Sequence, residues 1–95
     1  MEKIRKWISE ANSDALFLTE DIFDKAIIGL GHRCGQPSIV VYDAKKVIEC
    51  YVERGMTFEE AVEFFEFNTA GAWVGENTPL FVYLPELEDL DLLED

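Results

Sequence analysis

The chain has 95 residues, of which 48% are hydrophobic and 13% aromatic, a composition that excludes a disordered polymer and suits one domain with a core. Its net charge of −12 is unevenly spread, because residues 1–54 carry nine acids and eight bases whereas residues 55–95 carry eleven acids and no base. Phosphate backbones are neutralised by clustered Lys and Arg, so this balance argues against direct binding of nucleic acid or of anionic membranes.

Two further features of the sequence concern the cellular setting. No apolar run approaches the roughly 18 residues that would span a bilayer, and the basic first residues lack the apolar centre of a signal peptide. The two cysteines, Cys34 and Cys50, suit reduced thiols better than a disulfide framework. We therefore expect a soluble, cytoplasmic protein.

The N-terminal segment predicts a helix followed by a strand. Apolar residues recur at positions 4, 7, 8 and 11, the spacing of one helical face, which predicts an amphipathic helix over 2–11 with that face on the core. The apolar run ALFL (15–18) then predicts a short buried strand.

The next segment predicts two strands joined by a turn. Apolar residues at 23, 26, 27 and 30 also fit a helix, but the two glycines of IIGLG disfavour one, since each costs about 1 kcal/mol in a helix interior. We predict a strand over 26–33, a turn at CGQP (34–37) and a returning strand over 38–42.

Residues 43–69 predict a helical hairpin. Asp43 is placed to cap a first helix, which Arg54 and Gly55 end with a cation in the last turn and a glycine after it. Thr57 and Glu60 form the T-x-x-E capping box of a second helix.

The C-terminal part of the chain predicts one more strand and a tail. LFVYL (80–84) follows Pro79 and predicts the last strand, while residues 85–95 carry six acids and predict a frayed tail. The fold class is therefore α+β: one domain over 1–84 with a small, mainly antiparallel sheet of four strands, 15–18, 26–33, 38–42 and 80–84. The helical hairpin covers the sheet, and the N-terminal helix packs at an edge.

The second helix of the hairpin is the main candidate site. At about 100° per residue, Phe58, Ala61, Val62 and Phe65 share a face that we assign to the core. The opposite face carries Glu59, Glu63 and Glu66, spaced by four and three, with Phe67 among them. Like charges at these spacings oppose helix formation by a few tenths of a kcal/mol per pair, and no base lies nearby in the sequence to relieve them.

Two aromatic residues have two interpretations each. Phe67 is either covered by the chain as it returns after Gly71, which we expect, or exposed and able to pack against the stems of a partner's Arg and Lys. Trp73, in the glycine-bounded segment EFNTAGAWVGENTP (66–79), is either buried under its loop, which we expect, or an exposed binding anchor. The segment as a whole is interpreted as a bend that delivers the last strand. The predicted partner-binding residues are Glu59, Glu63, Glu66, Phe67, Trp73, Glu86, Glu88, Asp89 and Asp91.

Catalytic and metal-binding patterns are weak. His32 and Cys34 would share a face of a strand, but no surrounding motif supports a Cys–His nucleophile, and one His with two Cys does not complete a structural zinc site. The glycines of GLGHRCG miss the dinucleotide-binding spacing by one position and precede a strand. A divalent cation on the three glutamates is disfavoured because oxygen cages usually come from loops. We predict no catalytic residue, no metal and no cofactor.

Two sequence segments resemble those of a known group of proteins: GHRCGQP (31–37) and FNTAGAWVGENTP (67–79). Over residues 14–83 the chain resembles small, uncharacterised proteins encoded by bacteriophages and prophages. The resemblance implies a phage setting and carries over no catalytic residue.

These observations favour a non-enzymatic, phage-derived interaction protein. Its acidic C-terminal half would bind a basic surface of a host protein, for example as an anti-CRISPR or anti-restriction inhibitor acting by nucleic-acid mimicry. Acidity that merely keeps a small protein soluble is the simpler alternative. A second is a small enzyme or ligand-binding domain with a pocket formed by GHRCGQP and GAWVGENTP, and a third is a self-associating phage subunit.

Overall fold

The computed structural model describes residues 2–86 and has a small mixed sheet with helices packed against it. In chain order the elements are α1 (Glu2–Ala11), a 3₁₀ helix (Asp21–Ala26), β1 (Ile27–Gly31), β2 (Ile39–Asp43), α2 (Ala44–Glu53), α3 (Phe58–Phe64), a π-helix (Phe65–Thr69) that continues α3, and β3 (Leu80–Val82). The predicted α+β class is confirmed.

The sheet has three strands among the described residues, in the order β1-β2-β3. β1 and β2 are antiparallel, with Gly31 opposite Ile39 and a bulge between Ile27 and Gly29. β3 runs parallel to β2, with Tyr42 opposite Phe81. Parallel neighbours need a long crossover connection, and α2, α3 and the π-helix supply it. The prediction of four strands is therefore wrong in strand number. The observed sheet is mixed because the helical hairpin connects two parallel strands.

The predicted strand at 15–18 is the missing fourth strand. This segment has no strand partner, and the Leu18 N–H instead donates to the Tyr42 hydroxyl at 2.8 Å. Phe17 lies under the Arg5 guanidinium, 4.8 Å from ring centroid to Cζ. The segment therefore contacts the core through its side chains and through one hydrogen bond to a side chain. A run of apolar residues fits this arrangement as well as it fits a strand.

An ion pair attaches α1 to the 3₁₀ helix. Arg5 Nε lies 2.7 Å from Asp24 Oδ2, and Arg5 Nη2 lies 2.8 Å from Asp24 Oδ1. Hydrogen bonding to Asp24 raises the pKa of Arg5 further above its already high ordinary value. Ile8 is fully buried, but Trp7 is 55% exposed, so the predicted apolar face of α1 is only partly covered.

The core lies between the sheet, α1, α2 and α3. Tyr42 of the central strand stacks on Phe81 of β3 with 5.6 Å between the ring centroids. Phe65 packs against Phe81 in an edge-to-face arrangement, with 5.2 Å between the centroids. These rings join the sheet to the helical crossover. The buried hydrophobic residues are Ile8, Phe23, Ala26, Val40, Tyr42, Ala44, Val47, Ile48, Cys50, Ala61 and Phe65.

Candidate functional site

The acidic helix begins where its capping box predicts. The Glu60 N–H donates to Thr57 Oγ1 at 3.2 Å, and Thr57 N–H donates to Glu60 Oε1 at 2.9 Å, so two of the otherwise unpaired first amides are satisfied. The cap sets the helical phase, with Ala61 and Phe65 buried on the inner face. Phe58, which we predicted to share that face, is 64% exposed, because it stands on the first turn where no neighbouring element covers it.

A π-helical turn ends this element. The Ala70 N–H donates to the Phe65 carbonyl at 2.7 Å, an i to i+5 bond, and such turns occur frequently at functional sites. The turn is attached to α2 by a 2.6 Å hydrogen bond between the Tyr51 hydroxyl and Thr69 Oγ1. Thr69 is therefore buried with a partner, and the residues before it on the turn are held in place.

The chain after the π-helix does not cover Phe67. A Cβ atom at Gly71 would lie 2.9 Å from the Glu66 carbonyl oxygen, so the chain turns back against backbone at the helix end. The Phe67 side chain is left 77% exposed, and the expectation that it is covered is wrong. At Gly71 the chain passes close to the carbonyl oxygens of Glu66 and Phe67 and does not cover the Phe67 ring.

The exposed phenylalanines and the carboxylates line two adjoining shallow grooves. One, of about 350 Å³, lies between Phe58 and Phe67, with Val62 and three glutamates completing its walls. The other, of about 390 Å³, shares Phe67 with the first and extends to Phe64 and Asn68. We call Phe58, Phe67, Glu59, Glu63 and Glu66 the acidic-aromatic surface. The predicted proximity of these acids to Phe67 is thus observed in the fold.

The carboxylates of the acidic-aromatic surface have no basic partner within residues 2–86. The salt bridges found in this part of the chain are Arg5–Asp24, Lys25–Glu53, Arg54–Glu20 and Lys45–Glu86. The first three join groups of the first half of the chain to one another. Three bases of that half are therefore paired with its own acids, none of the four salt bridges reaches Glu59, Glu63 or Glu66, and the surface retains its negative charge.

Glu86 and Trp73, two of the other predicted partner-binding residues, line neither groove of this surface. Glu86 forms an ion pair with Lys45, at the start of α2, so it is neutralised by a base of the first half. Trp73 is 75% exposed, which corrects the expectation that it is buried. Glu88, Asp89 and Asp91 lie outside the described residues.

A cleft of about 660 Å³ lies beside the acidic-aromatic surface, and only one of the two segments predicted to form a pocket, GAWVGENTP, lines it. A row of three rings lines it, with centroid spacings of 5.1 Å from Phe23 to Tyr51 and 5.0 Å from Tyr51 to Phe64. The 16–20 segment and Ala72 and Val74 complete its sides. Sequence reasoning missed the other walls of the cleft, because the apolar run at 15–18 was assigned to a strand.

The loop that borders the cleft is internally hydrogen-bonded. Val74 N–H donates to Thr78 Oγ1 at 2.9 Å, and the Thr78 hydroxyl donates to the Gly75 carbonyl at 2.7 Å. Asn77 Oδ1 accepts a 2.9 Å hydrogen bond from the side chain of Asn12, which ties the loop to the end of α1. The interpretation of this segment as a bend leading to the last strand agrees with these bonds. It also forms one side of the cleft.

The motif GHRCGQP does not take part in the cleft, since no residue of 31–37 lines it. His32 follows β1 instead of lying on a strand, and its Nδ1 is 3.5 Å from Ser38 Oγ. Cys34 is exposed in the turn, and Cys50 is buried, where burial raises the pKa of its thiol. The fold therefore does not align His32 and Cys34 on one strand face as the sequence suggested.

The described residues offer neither a metal cluster nor a membrane-spanning helix. Among residues 2–86, no three side chains of His, Cys, Asp or Glu come together as metal ligands. In the same range no helix has the length and apolar character to cross a bilayer.

Neither the cleft nor the acidic-aromatic surface holds a recognisable catalytic arrangement of nucleophile and base. What the described surface offers chemically is negative charge beside exposed aromatic rings, adjoining an apolar cleft. Comparison of the chain with protein-family models, with curated proteins and with solved structures gave no match in any of the three.

Proposed function

We propose that this protein is a non-enzymatic interaction protein that docks its acidic-aromatic surface onto a basic surface of another protein. The observation that carries the proposal is the juxtaposition of Glu59, Glu63 and Glu66 with the exposed rings of Phe58 and Phe67 in two adjoining grooves. Exposed rings of this size are costly on a surface that only provides solubility, since they contact water.

The charges and the rings suit Arg and Lys side chains together. A carboxylate attracts the cationic head, while an aromatic ring packs against the aliphatic stem or the guanidinium plane. Complementary charge accelerates encounter and selects partners, and apolar contact supplies much of the affinity. The surface offers both, on a helix that its capping box and the Tyr51–Thr69 hydrogen bond hold in place.

The partner class we propose is a nucleic-acid-binding protein of a bacterial host. A phage setting is what the resemblance of residues 14–83 implies, and host nucleases of restriction or CRISPR systems present basic clefts. The surface carries three carboxylates beside two exposed rings, which favours occupying part of a basic cleft with combined charge and ring contacts.

The experiment compares two variants of equal charge. One replaces Glu59, Glu63 and Glu66 by Gln, and the control replaces three exposed acids elsewhere, Glu10, Glu49 and Glu76, by Gln. Tagged proteins are used to capture partners from bacterial lysate at low salt and at about 0.5 M salt, where the Debye length falls to a few ångströms.

The proposal predicts a protein that is retained at low salt by the wild type and by the control but not by the acidic-aromatic variant. High salt should weaken its retention. Nucleic acid should compete for the captured protein in a binding assay. Equal loss in both variants would show that only net charge matters, and unchanged capture by both would exclude this surface.

A further inference from the structure

The apolar cleft and the acidic-aromatic surface are contiguous. Phe64 and Asn68 line both the cleft of about 660 Å³ and the neighbouring acidic groove of about 390 Å³. A ligand that enters the cleft beside Phe64 therefore meets Glu60 and Glu63 on leaving it.

The cleft has room for a large apolar side chain and an apolar lining to bind it. Sites of about 300–1,000 Å³ with mainly apolar walls are typical of small-molecule pockets, so a cleft of this size accommodates one such side chain together with neighbouring atoms of the partner. Besides the row of rings, Leu16, Leu18 and Met56 line it. Arg54 stands at the cleft already paired with Glu20, so its charge is compensated within the protein.

We propose that the cleft receives a large apolar anchor residue of the partner, and that basic residues flanking this anchor in the partner's chain bind the acidic groove. This inference rests on the proposed function and specifies its partner: a protein segment in which Leu, Met or an aromatic residue lies next to Lys or Arg. Charge complementarity selects the flanking residues, because the groove carries glutamates and no base. The shared wall requires the anchor and the cations to be close together in the partner.

The anchor distinguishes this mode of recognition from nucleic-acid mimicry by charge alone. A charge-only contact tolerates any arrangement of basic residues and disappears in salt. An anchored segment requires one apolar position, and part of its affinity survives salt because burial of an apolar side chain is not screened. Loss of that side chain should weaken binding roughly 10- to 100-fold.

The test selects binders from a random-peptide display library on the intact protein. We expect enriched peptides to share a large apolar residue close to Lys or Arg. A synthetic copy of the most enriched peptide is then measured by titration. Replacement of the peptide's apolar residue by Ala should weaken binding roughly 10- to 100-fold. The protein with Glu59, Glu63 and Glu66 replaced by Gln should bind the unchanged peptide more weakly.

A matched pair of protein variants locates the anchor. Ala72 is exposed and lines the cleft, so the ring added by Ala72→Phe should occupy part of the cleft and obstruct it, whereas Ala70→Phe adds the same ring two residues away at an exposed position outside the cleft. Ala72→Phe should weaken the peptide at least tenfold, as expected for exclusion of one buried side chain, and Ala70→Phe should leave its affinity unchanged. Thermal unfolding of both variants controls for folding.

The outcomes separate the two proposals. Enriched peptides that are basic but share no apolar position, or a peptide that ignores Ala72→Phe, would overturn the anchor while leaving the acidic surface as a docking site. Absence of any basic bias among the enriched peptides, or absence of enrichment, would overturn both.

Discussion

Replacing Asp24 by Asn should weaken the attachment of α1 to the rest of the protein. The carboxylate side chain is 2% exposed and accepts two charge-assisted hydrogen bonds from Arg5, whose side chain is 32% exposed. Each such bond contributes about 1.5–3 kcal/mol, but the partly exposed guanidinium can recover some hydration when its partner is lost. The amide keeps one acceptor and turns an NH₂ group toward the cation. We expect a loss of about 2–3 kcal/mol, which corresponds to a fall in Tm of about 10–20 °C for a domain of this size.

Urea unfolding followed by circular dichroism measures this loss, with Glu53→Gln as the matched control. Glu53 makes the same change from carboxylate to amide, but its ion pair with Lys25 is exposed on both sides. Exposed pairs contribute little to stability, so the control should unfold at nearly the wild-type midpoint. The reasoning would be refuted if Asp24→Asn and Glu53→Gln shifted the midpoint equally. It would also be refuted if a double-mutant cycle with Arg5→Met showed no coupling.

Three further predictions concern other parts of the fold. Thr57→Ala removes the cap of α3 and should cost about 1 kcal/mol in urea unfolding, and a cost no larger than that of an exposed Ser9→Ala change would contradict the observed capping box. Gly71→Ala places a Cβ 2.9 Å from a carbonyl oxygen and should cost about 1–3 kcal/mol, while an unchanged midpoint would show that the turn relaxes freely. Burial raises the pKa of the Cys50 thiol, so its contribution to stability is present below the unfolded thiol pKa of about 8.5 and is lost as pH rises above it. Cys50→Ala should flatten this pH dependence, and the exposed Cys34 should react with a thiol reagent long before Cys50, an order that equal rates would disprove.

The features predicted correctly from the sequence depend on local interactions. The Asp43 carboxylate accepts from the N–H groups of Lys45 and Lys46 at 3.0 and 3.3 Å, and the Thr57 capping box closes over three residues. The groups that make these bonds are brought together by the helix itself, whatever the rest of the chain does. Helix starts at Ala44 and Phe58 were therefore predictable.

The features predicted wrongly depend on residues far apart in the chain. Apolar spacing gives the direction of a side chain from its helix but not whether another element lies opposite, so the predicted burial of Phe58 was wrong. The predicted burial of Trp73 under its loop was wrong because it depended on the path of the loop, which local sequence does not fix. The residues at 15–18 are apolar enough for a strand, yet Leu18 donates its N–H to the Tyr42 hydroxyl, 24 residues away.

Residue order alone established the helical hairpin, the strands around the CGQP turn and the concentration of acids after residue 54. Whether those acids form a charged surface could not be derived from residue order, because it depends on which acids the bases of the first half pair with. The fold pairs Arg5, Lys25 and Arg54 with acids of that half and leaves Glu59, Glu63 and Glu66 beside exposed rings. The apolar cleft likewise exists only because distant segments meet around Phe64, and such long-range packing leaves no periodic trace in the sequence.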